Sequence, residues 1–114
     1  MHMTQENLDG DLTRISLDGR LDLEGTQKVE QQFSYRTTTS AGRFAIDLSG
    51  VTFIASIGIR MLLTAARAQA QRGGKMILIS PTGMSRKVLE TAGVDALVPI
   101  VGDLDAARSA LGAA

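Results

Sequence analysis

The sequence predicts one α/β domain spanning residues 1–114: a mostly parallel sheet of about five strands with crossover helices, in the order β-β-α-β-α-β-α-β-α. Two observations lead to this prediction. Segments in which apolar and polar residues alternate with a period of two are interleaved with segments whose apolar residues recur every three or four positions, an order typical of parallel sheets. The 114 residues are also enough for one hydrophobic core but not for two.

The first predicted elements are two strands. Leu12 to Asp22 alternates with a period of two, and a polar turn that contains Gly10 precedes it. A shorter strand over Thr4–Leu8 could pair with it across that turn. The Met-His-Met opening suggests an added or disordered leader, so we expect residues 1–3 to lie outside the fold.

A helix is predicted from Glu24 to about Thr38. No proline interrupts this segment, and Val29 and Phe33 form an apolar pair at i,i+4 spacing. Thr26 is a candidate N-cap, because a threonine hydroxyl can accept a hydrogen bond from a backbone N–H of the first turn. A run of Thr, Ser and Gly then ends the helix.

The centre of the chain predicts a core strand. Phe44, Ile46 and Leu48 alternate with smaller or polar residues. We expect a turn at Ser49-Gly50, after which Val51–Ile54 forms a short extended connection.

The clearest predicted helix spans Gly58 to Arg72. Its apolar residues form one stripe at helical spacing, namely Ile59, Leu62, Leu63, Ala66 and Ala70. Gly73-Gly74 follows the helix and is expected to end it.

The C-terminal third predicts two strands and two helices. Lys75 to Ser80 is apolar without alternation, which is typical of a strand buried on both faces. A helix is expected next, capped by Ser80 with Pro81 in its first turn; its apolar stripe is Val88, Leu89 and Ala92, and Gly93 ends it. An edge strand within Ala96–Val101, marked by Pro99, is expected to follow. The last expected element is a helix capped by Asp103, with Leu104, Ala107 and Leu111 as its stripe.

The composition argues against several classes of function. Twelve Lys and Arg balance twelve Asp and Glu, and aromatic residues are only 4%, so nothing indicates nucleic acid or an anionic membrane as a partner. Cysteine is absent and the only histidine is His2, which leaves few metal ligands and no thiol nucleophile. We therefore expect a cytoplasmic protein without a cofactor or metal.

Three passages of the sequence resemble a STAS domain, the fold of anti-sigma factor antagonists. "LDGRLD" at 17–22 is similar to the family's strand end, and "IDLSGVTFIASIGIRMLL" at 46–63 resembles its signature strand, loop and helix. "GGKMILISPTGMSRKVLETAGVDALVPI" at 73–100 is similar to the strand, helix and edge strand that follow. The resemblance covers nearly the whole chain after residue 10.

The resemblance also places the regulatory loop of the family. That loop usually reads Asp-Ser-Ser/Thr-Gly, and the residue before the glycine takes a phosphate. Here the four positions are Ala55, Ser56, Ile57 and Gly58, so the usual phosphoacceptor has no hydroxyl.

Two interpretations of Ser56 remain open. Its hydroxyl could cap the helix, a contribution of about 1 kcal/mol. Alternatively, Ser56 is a phosphorylation site one position earlier than usual, where a phosphate would face the positive end of the helix dipole.

Ile57 also has two interpretations. With Met61 one turn later and Arg60 between them, it could form an apolar contact patch with a basic neighbour. Alternatively, it packs against Val51 or Leu23 and has no part in binding.

The resemblance implies that Asp22 lines the binding surface, although Asp22 could equally be a helix cap. Gly58 is expected to permit a close approach of the helix. The paired carboxylates, Asp18 with Asp22 and Asp103 with Asp105, are more typical of solvated surface charges than of an acid/base pair, and no phosphate-binding or zinc motif occurs.

The resemblance implies a protein that binds and is not an enzyme. The expected partner is an anti-sigma factor with a serine-kinase fold, and a serine phosphatase would act only if Ser56 is phosphorylated. The expected docking residues are Asp22, Ala55, Ser56, Ile57, Gly58, Arg60 and Met61. The alternatives are a STAS subunit of a transporter or sensory complex, and a sensor of a small ligand or nucleotide at the sheet's C-terminal edge.

Overall fold

The computed structural model describes residues 1–8 and 10–111, which form a five-stranded sheet covered by helices on both faces. The strands are β1 (His2–Asn7), β2 (Leu12–Leu21), β3 (Arg43–Ile54), β4 (Lys75–Ile79) and β5 (Ile100–Val101). The helices are α1 (Leu23–Thr38), α2 (Ser56–Gln71), α3 (Gly83–Thr91) and α4 (Leu104–Ala110), with a short 3₁₀ helix at Val94–Ala96. The predicted order of elements and the α/β class are confirmed.

The strands lie in the sheet in the same order as in the chain. β1 pairs with β2 in antiparallel orientation, while β2, β3, β4 and β5 are parallel to their neighbours. β1 and β5 form the two edges, which agrees with the edge position predicted from Pro99. Each parallel pair therefore needs a crossover, and α1, α2 and α3 supply these connections.

Two hydrophobic clusters hold the helices to the sheet. The larger cluster packs α1, α2 and α3 on one face, with Phe33, Leu62 and Leu89 as buried contributors. The smaller cluster packs Ala107 and Leu111 against the opposite face. β4 supplies residues to both clusters, as Met76 and Leu78 to one and Ile77 and Ile79 to the other, which confirms a strand buried on both faces.

The N-terminal residues belong to the fold, contrary to our expectation for residues 1–3. His2 and Met3 are part of β1 and pair with Asp18 and Leu17. Met1 and Met3 also pack against the larger cluster. The extended edge strand thus begins earlier than the alternation in the sequence indicates.

The turn predicted at Ser49-Gly50 is wrong, because β3 runs without interruption through it. The register with β2 slips there: Asp47 pairs with Ser16, but Gly50 pairs with Asp18. β3 therefore carries an extra residue at this irregularity, which a bulge accommodates without ending the strand. The Asp47 carboxylate accepts a hydrogen bond from the Ser49 N–H at 2.9 Å, a local contact that fits the distorted backbone.

Two predicted caps are also wrong. Asp22, not Thr26, caps α1, and the Thr26 side chain is buried. Thr82, not Ser80, caps α3, which begins at Gly83. Ser80 has a positive φ of 55° and turns the chain before Pro81, so the helix starts later than the proline indicates.

The remaining helix ends agree with the sequence. Gly73 and Gly93 adopt the left-handed conformation after α2 and α3, with φ of 83° and 77°. Asp103 caps α4 by accepting a hydrogen bond from the Ala106 N–H at 2.8 Å. The last predicted strand is shorter than expected, because Ala96 ends the 3₁₀ helix and residues 97–99 form an irregular turn before β5.

The buried side of α2 is rotated relative to the predicted stripe. The fully buried residues of this helix are Gly58, Met61, Leu62, Ala65 and Gln69. Ile59, Leu63 and Ala66 are only partly buried, and Ala70 is exposed. Of the predicted stripe, Leu62 therefore lies fully in the core, whereas Ile59 also lines a groove on the surface.

Candidate functional site

The candidate site lies where β2 and β3 end side by side. Leu21 and Ile54 are partners in the sheet register, and the Ala55 N–H donates a hydrogen bond to the Leu21 carbonyl at 3.0 Å. Asp22 and Ala55, the next residues of the two strands, therefore begin α1 and α2 next to each other. This arrangement brings Asp22 to the loop at Ala55–Gly58, as the resemblance implied.

Two glycines permit this close approach. A Cβ on Gly58 would lie 2.7 Å from Leu21 Cγ and 2.9 Å from the Leu21 carbonyl oxygen, so only glycine lets the first turn of α2 sit on β2. A Cβ on Gly25 would collide with the carbonyl oxygen of Arg20. The structural role predicted for Gly58 is confirmed, whereas Gly25 was missed because a lone glycine in a helix looks only unfavourable in sequence.

Asp22 is fixed by two polar contacts. Its Oδ1 accepts a hydrogen bond from the Gly25 N–H at 2.8 Å, and its Oδ2 lies 3.3 Å from Arg20 Nε. The hydrogen bond from Gly25, assisted by Arg20, holds the pKa of Asp22 below its ordinary value of 3.8. Asp22 is therefore a helix cap, and its partly exposed carboxylate also forms one side of the site.

Ser56 does not cap α2. It is the first residue of the helix, Ala55 occupies the N-cap position, and no side chain accepts a capping hydrogen bond there. The capping interpretation of Ser56 is therefore wrong. Its side chain is exposed at the N-terminus of α2.

The apolar patch expected from Ile57 and Met61 does not form. Met61 is only 4% exposed and belongs to the larger core cluster, so it offers no surface for binding. Residues four positions apart do not point in the same direction around the helix axis, and this difference turns Met61 toward the core while Ile57 stays at the surface. Ile57 is partly exposed and Arg60 is exposed, so these two residues do reach the surface.

Three further side chains lie at this end of the sheet and were missed from the sequence. Phe53 is 39% exposed, and the Arg20 guanidinium lies 4.4 Å from the centroid of its ring. Leu23, the first residue of α1, is 58% exposed. Alternation in "VTFI" would place Phe53 on the buried side with Val51, but a second register slip against β2 leaves Thr52 and Phe53 exposed between buried Val51 and Ile54.

A groove adjoins the site between the N-terminus of α2 and α3. Its volume is about 580 Å³. Its lining residues are Ile54, Ala55, Ser56, Ile59, Met84, Lys87, Val88, Thr91 and Ala92. The lining is mainly apolar, and Met84 at its rim is 70% exposed.

Two of the carboxylates singled out in the sequence serve as helix caps. Asp103 caps α4 on the face of the sheet opposite to α1 and α2, and Asp22 caps α1. Among residues 1–8 and 10–111, no three His, Cys, Asp or Glu side chains lie close enough to hold a metal ion. Within the same residues, no helix is long and apolar enough to cross a membrane.

Comparison with known proteins identifies relatives over almost the full length. A family model described as "Mlab, STAS domain" matches residues 4–102. The chain is 26% identical over 110 residues to BtrV of Bordetella bronchiseptica, a candidate anti-sigma factor antagonist, covering 96% of this chain and 94% of that protein.

Solved structures with the same fold are similar over comparable lengths. An anti-sigma factor antagonist from Mycobacterium paratuberculosis has a TM-score of 0.86 at 24% identity, covering 97% of this chain and 93% of that one. The Bacillus cell fate determinant SpoIIAA in its phosphorylated form has a TM-score of 0.72 at 20% identity, covering 96% and 99%. At these identities the likeness shows the fold.

Proposed function

The chain belongs to the STAS domain family, and we propose that it is an anti-sigma factor antagonist, which acts by binding an anti-sigma factor and thereby releases a sigma factor. The observation that carries the proposal is the exposed N-terminus of α2 beside Asp22, held there by the hydrogen bond from Ala55 to Leu21. The similarity to BtrV over 110 residues supports the same function. In this account the chain regulates transcription without contacting DNA.

The proposed docking surface is centred on the loop from Ala55 to Gly58. Ser56 and Arg60 are exposed, and Ile57 and Asp22 are partly exposed, so all four side chains can contact a partner. Gly58 contributes by its lack of a side chain, and Met61 contributes only to the core. We add Leu23 and Phe53 to this surface, because large exposed apolar side chains are what an interface buries with most gain.

Ile57 determines how the proposed switch is regulated. Because isoleucine has no hydroxyl, a kinase cannot phosphorylate this position, and the chain would stay competent to bind where an ordinary relative is switched off. Ser56 is the remaining candidate phosphoacceptor in the loop. A phosphate there would add a charge of nearly −2 to the surface that the partner buries, so binding should be lost.

In this proposal the partner is an anti-sigma factor. Any kinase activity of that partner could act in this loop only on Ser56. A serine phosphatase has a role only if Ser56 is phosphorylated. The protein itself then needs no catalytic residue and would work in the cytoplasm, where anti-sigma factors meet sigma factors.

The test is a titration of the purified anti-sigma factors encoded in the same genome, followed by calorimetry. One of them should bind with one-to-one stoichiometry, and the complex should release the cognate sigma factor. If none binds, the chain is not an antagonist. In that case, pull-down with mass spectrometry would identify the assembly to which a transporter or sensory subunit belongs.

The size of the groove is the one observation in support of a second candidate, a sensor of a small ligand or nucleotide. Its volume of about 580 Å³ falls within the usual range for small-molecule sites. A rise in melting temperature on addition of nucleotides would support this candidate, because a ligand that binds only the folded state stabilises it. No rise would count against it.

A further inference from the structure

The charges of the chain are segregated along the sequence, although its net charge is zero. Residues 48–89 contain no Asp or Glu and six Lys and Arg: Arg60, Arg67, Arg72, Lys75, Arg86 and Lys87. The rest of the chain therefore carries the other six basic residues against all twelve acidic ones. The basic stretch includes all of α2 and most of α3, the two helices that form the groove.

Within the part of the chain that the structure describes, two cations of α2 and α3, Arg60 and Lys87, have no acidic partner, and Lys87 lines the groove. Arg86 forms an ion pair with Glu90, with 3.4 Å between Nε and Oε2. Among the described residues, neither Lys87 nor Arg60 forms an ion pair. Lys87 lines the groove, and Arg60 lies one helical turn after Ser56, which also lines it.

The side chains that line the groove are mainly apolar. On α3, Met84, Lys87, Val88 and Thr91 recur at i, i+3, i+4 and i+7, so one side of the helix faces the groove. On α2, Ile59 provides the opposite wall from the half of the apolar stripe that the core leaves uncovered. An apolar surface with exposed Met84 at its rim is typical of a binding site for a protein segment.

We infer that this groove receives a segment of the protein partner that carries apolar side chains flanked by carboxylates. The apolar side chains fill the space between Ile59, Met84 and Val88. The carboxylates pair with Lys87 and Arg60. The inference rests on the proposed function, because the N-terminus of α2 belongs both to the proposed docking surface and to the groove. It adds to that function the chemistry of the partner segment.

A nucleotide and a second copy of this chain fit the groove less well. The polar side chains that line it, Ser56, Lys87 and Thr91, are all exposed. A phosphate or base site normally adds buried donors that fix orientation. A second copy of this chain would have to place its own acidic surface against the groove. The experiments below distinguish a nucleotide and a second copy from a partner segment.

The direct test uses a synthetic amphipathic helix of about four turns, with leucines on one face and glutamates flanking them. A matched helix carries lysines in place of the glutamates. In a methyl NMR titration, the glutamate helix should shift the resonances of Ile59, Met84 and Val88, and the lysine helix should bind at least ~10-fold more weakly. Equal binding of the two helices, absence of binding, or shifts confined to other surfaces would overturn the inference.

Substitutions separate the charge from the apolar contact. Lys87→Glu and Arg60→Glu should each weaken binding of the glutamate helix by ~10-fold, whereas Arg72→Glu, at the far end of α2, should leave it unchanged. Met84→Gln should also weaken binding, whereas Leu97→Gln should not, although Leu97 is 65% exposed. All five positions are at the surface, and circular dichroism confirms that each variant is folded.

Two further measurements exclude the other occupants. Light scattering of the protein alone should give the monomer mass, and a dimer that Met84→Gln dissociates would overturn the inference in favour of a second copy. A nucleotide that shifts the same methyl resonances and competes with the glutamate helix would overturn it in favour of a small ligand.

The same variants distinguish this inference from the proposed function. If an anti-sigma factor binds the wild type, Lys87→Glu and Met84→Gln should weaken that complex ~10-fold. Unchanged binding by both variants would end the groove hypothesis and leave the antagonist function standing. If no anti-sigma factor binds but the glutamate helix does, the proposed function fails and the groove remains.

Discussion

Gly58 lies directly against Leu21: a Cβ at position 58 would come within 2.7 Å of Leu21 Cγ and 2.9 Å of the Leu21 carbonyl oxygen. The contact joins the first turn of α2 to the end of β2, and it therefore sets where Ser56 and Ile57 stand relative to Asp22. The geometry of the candidate site thus depends on the absence of one side chain.

The first prediction concerns the missing side chain at Gly58. Gly58→Ala should lower the free energy of unfolding by about 2 kcal/mol, because the new methyl group overlaps Leu21 and the backbone behind it. Gly83→Ala is the matched control: Gly83 also lies in the first turn of a helix, but nothing stands within 4 Å of its Cβ position. Urea unfolding of both variants measures the difference, and equal stabilities would show that α2 does not pack on β2 as described.

A second prediction concerns the buried side chain of Gln69. Its Oε1 accepts a hydrogen bond from the Gly42 N–H at 3.0 Å, and its Nε2 donates to the carbonyls of Thr37 and Ser40. Gln69→Leu would leave these backbone groups without partners and should cost about 3 kcal/mol. Gln71→Leu, on the exposed side of the same helix, should change stability by less than ~0.5 kcal/mol.

Chemical denaturation of the two glutamine variants decides the matter. A Gln69→Leu variant as stable as Gln71→Leu would mean that these hydrogen bonds do not hold α2 to the end of α1 and the loop before β3.

The third prediction follows from the lowered pKa of Asp22. A carboxyl group whose pKa is lower in the folded state stabilises the fold above its unfolded pKa of about 3.8, and that contribution is lost as the pH falls through the lower folded value. Asp22→Asn keeps a capping oxygen but cannot titrate. The stability advantage of wild type over Asp22→Asn should therefore be largest near neutral pH and should shrink as the pH falls below 3.8, the ordinary pKa of Asp22.

Urea unfolding of both proteins from neutral pH down to about pH 2 measures this dependence. A difference that stays constant over the whole range would show that the Asp22 carboxylate gains nothing from Gly25 and Arg20.

The fourth prediction separates the two interpretations of Ser56 in solution. Because Ser56 makes no capping hydrogen bond, Ser56→Ala should change the free energy of unfolding by less than ~0.5 kcal/mol. Asp103→Ala, which removes an observed cap, should cost about 1 kcal/mol.

Intact mass after incubation with an anti-sigma factor kinase tests the phosphorylation hypothesis itself. If Ser56 is the phosphoacceptor, wild type gains one phosphate and Ser56→Ala gains none. An unmodified wild type would remove Ser56 as a phosphoacceptor and leave the loop without one.

The sequence was sufficient for the order of elements, because β2 alternates with a period of two, the apolar residues of α2 and α4 recur at helical spacing, and β4 is a continuous apolar run. It failed where tertiary contacts override local preference. Ser49-Gly50 looks like a turn, but neighbouring β2 keeps it extended through a bulge. The apolar stripe of α2 is wider than the core covers, so periodicity alone could not tell Met61, which is buried, from Ile59, which lines the groove.

The candidate site was predicted in its position but not in its details. The resemblance placed Asp22 beside Ala55–Gly58, and the register of β2 and β3 explains why they meet. Gln69 was missed because a glutamine in a polar stretch gives no sign of burial. A ligand pocket at the sheet's C-terminal edge was among the alternatives, but the lining of the groove was not predicted, because it depends on how α2 and α3 lie across the sheet.

The most direct test of the central claim is the affinity of the purified anti-sigma factor for wild type, Ile57→Glu and Tyr35→Glu. Tyr35 is 72% exposed on α1 and lies outside the proposed docking surface. We predict that Ile57→Glu weakens binding by at least ~30-fold, as expected for a contact worth about 2 kcal/mol, while Tyr35→Glu binds like wild type. Binding of folded Ile57→Glu with wild-type affinity would contradict the claim that the partner docks on the N-terminus of α2.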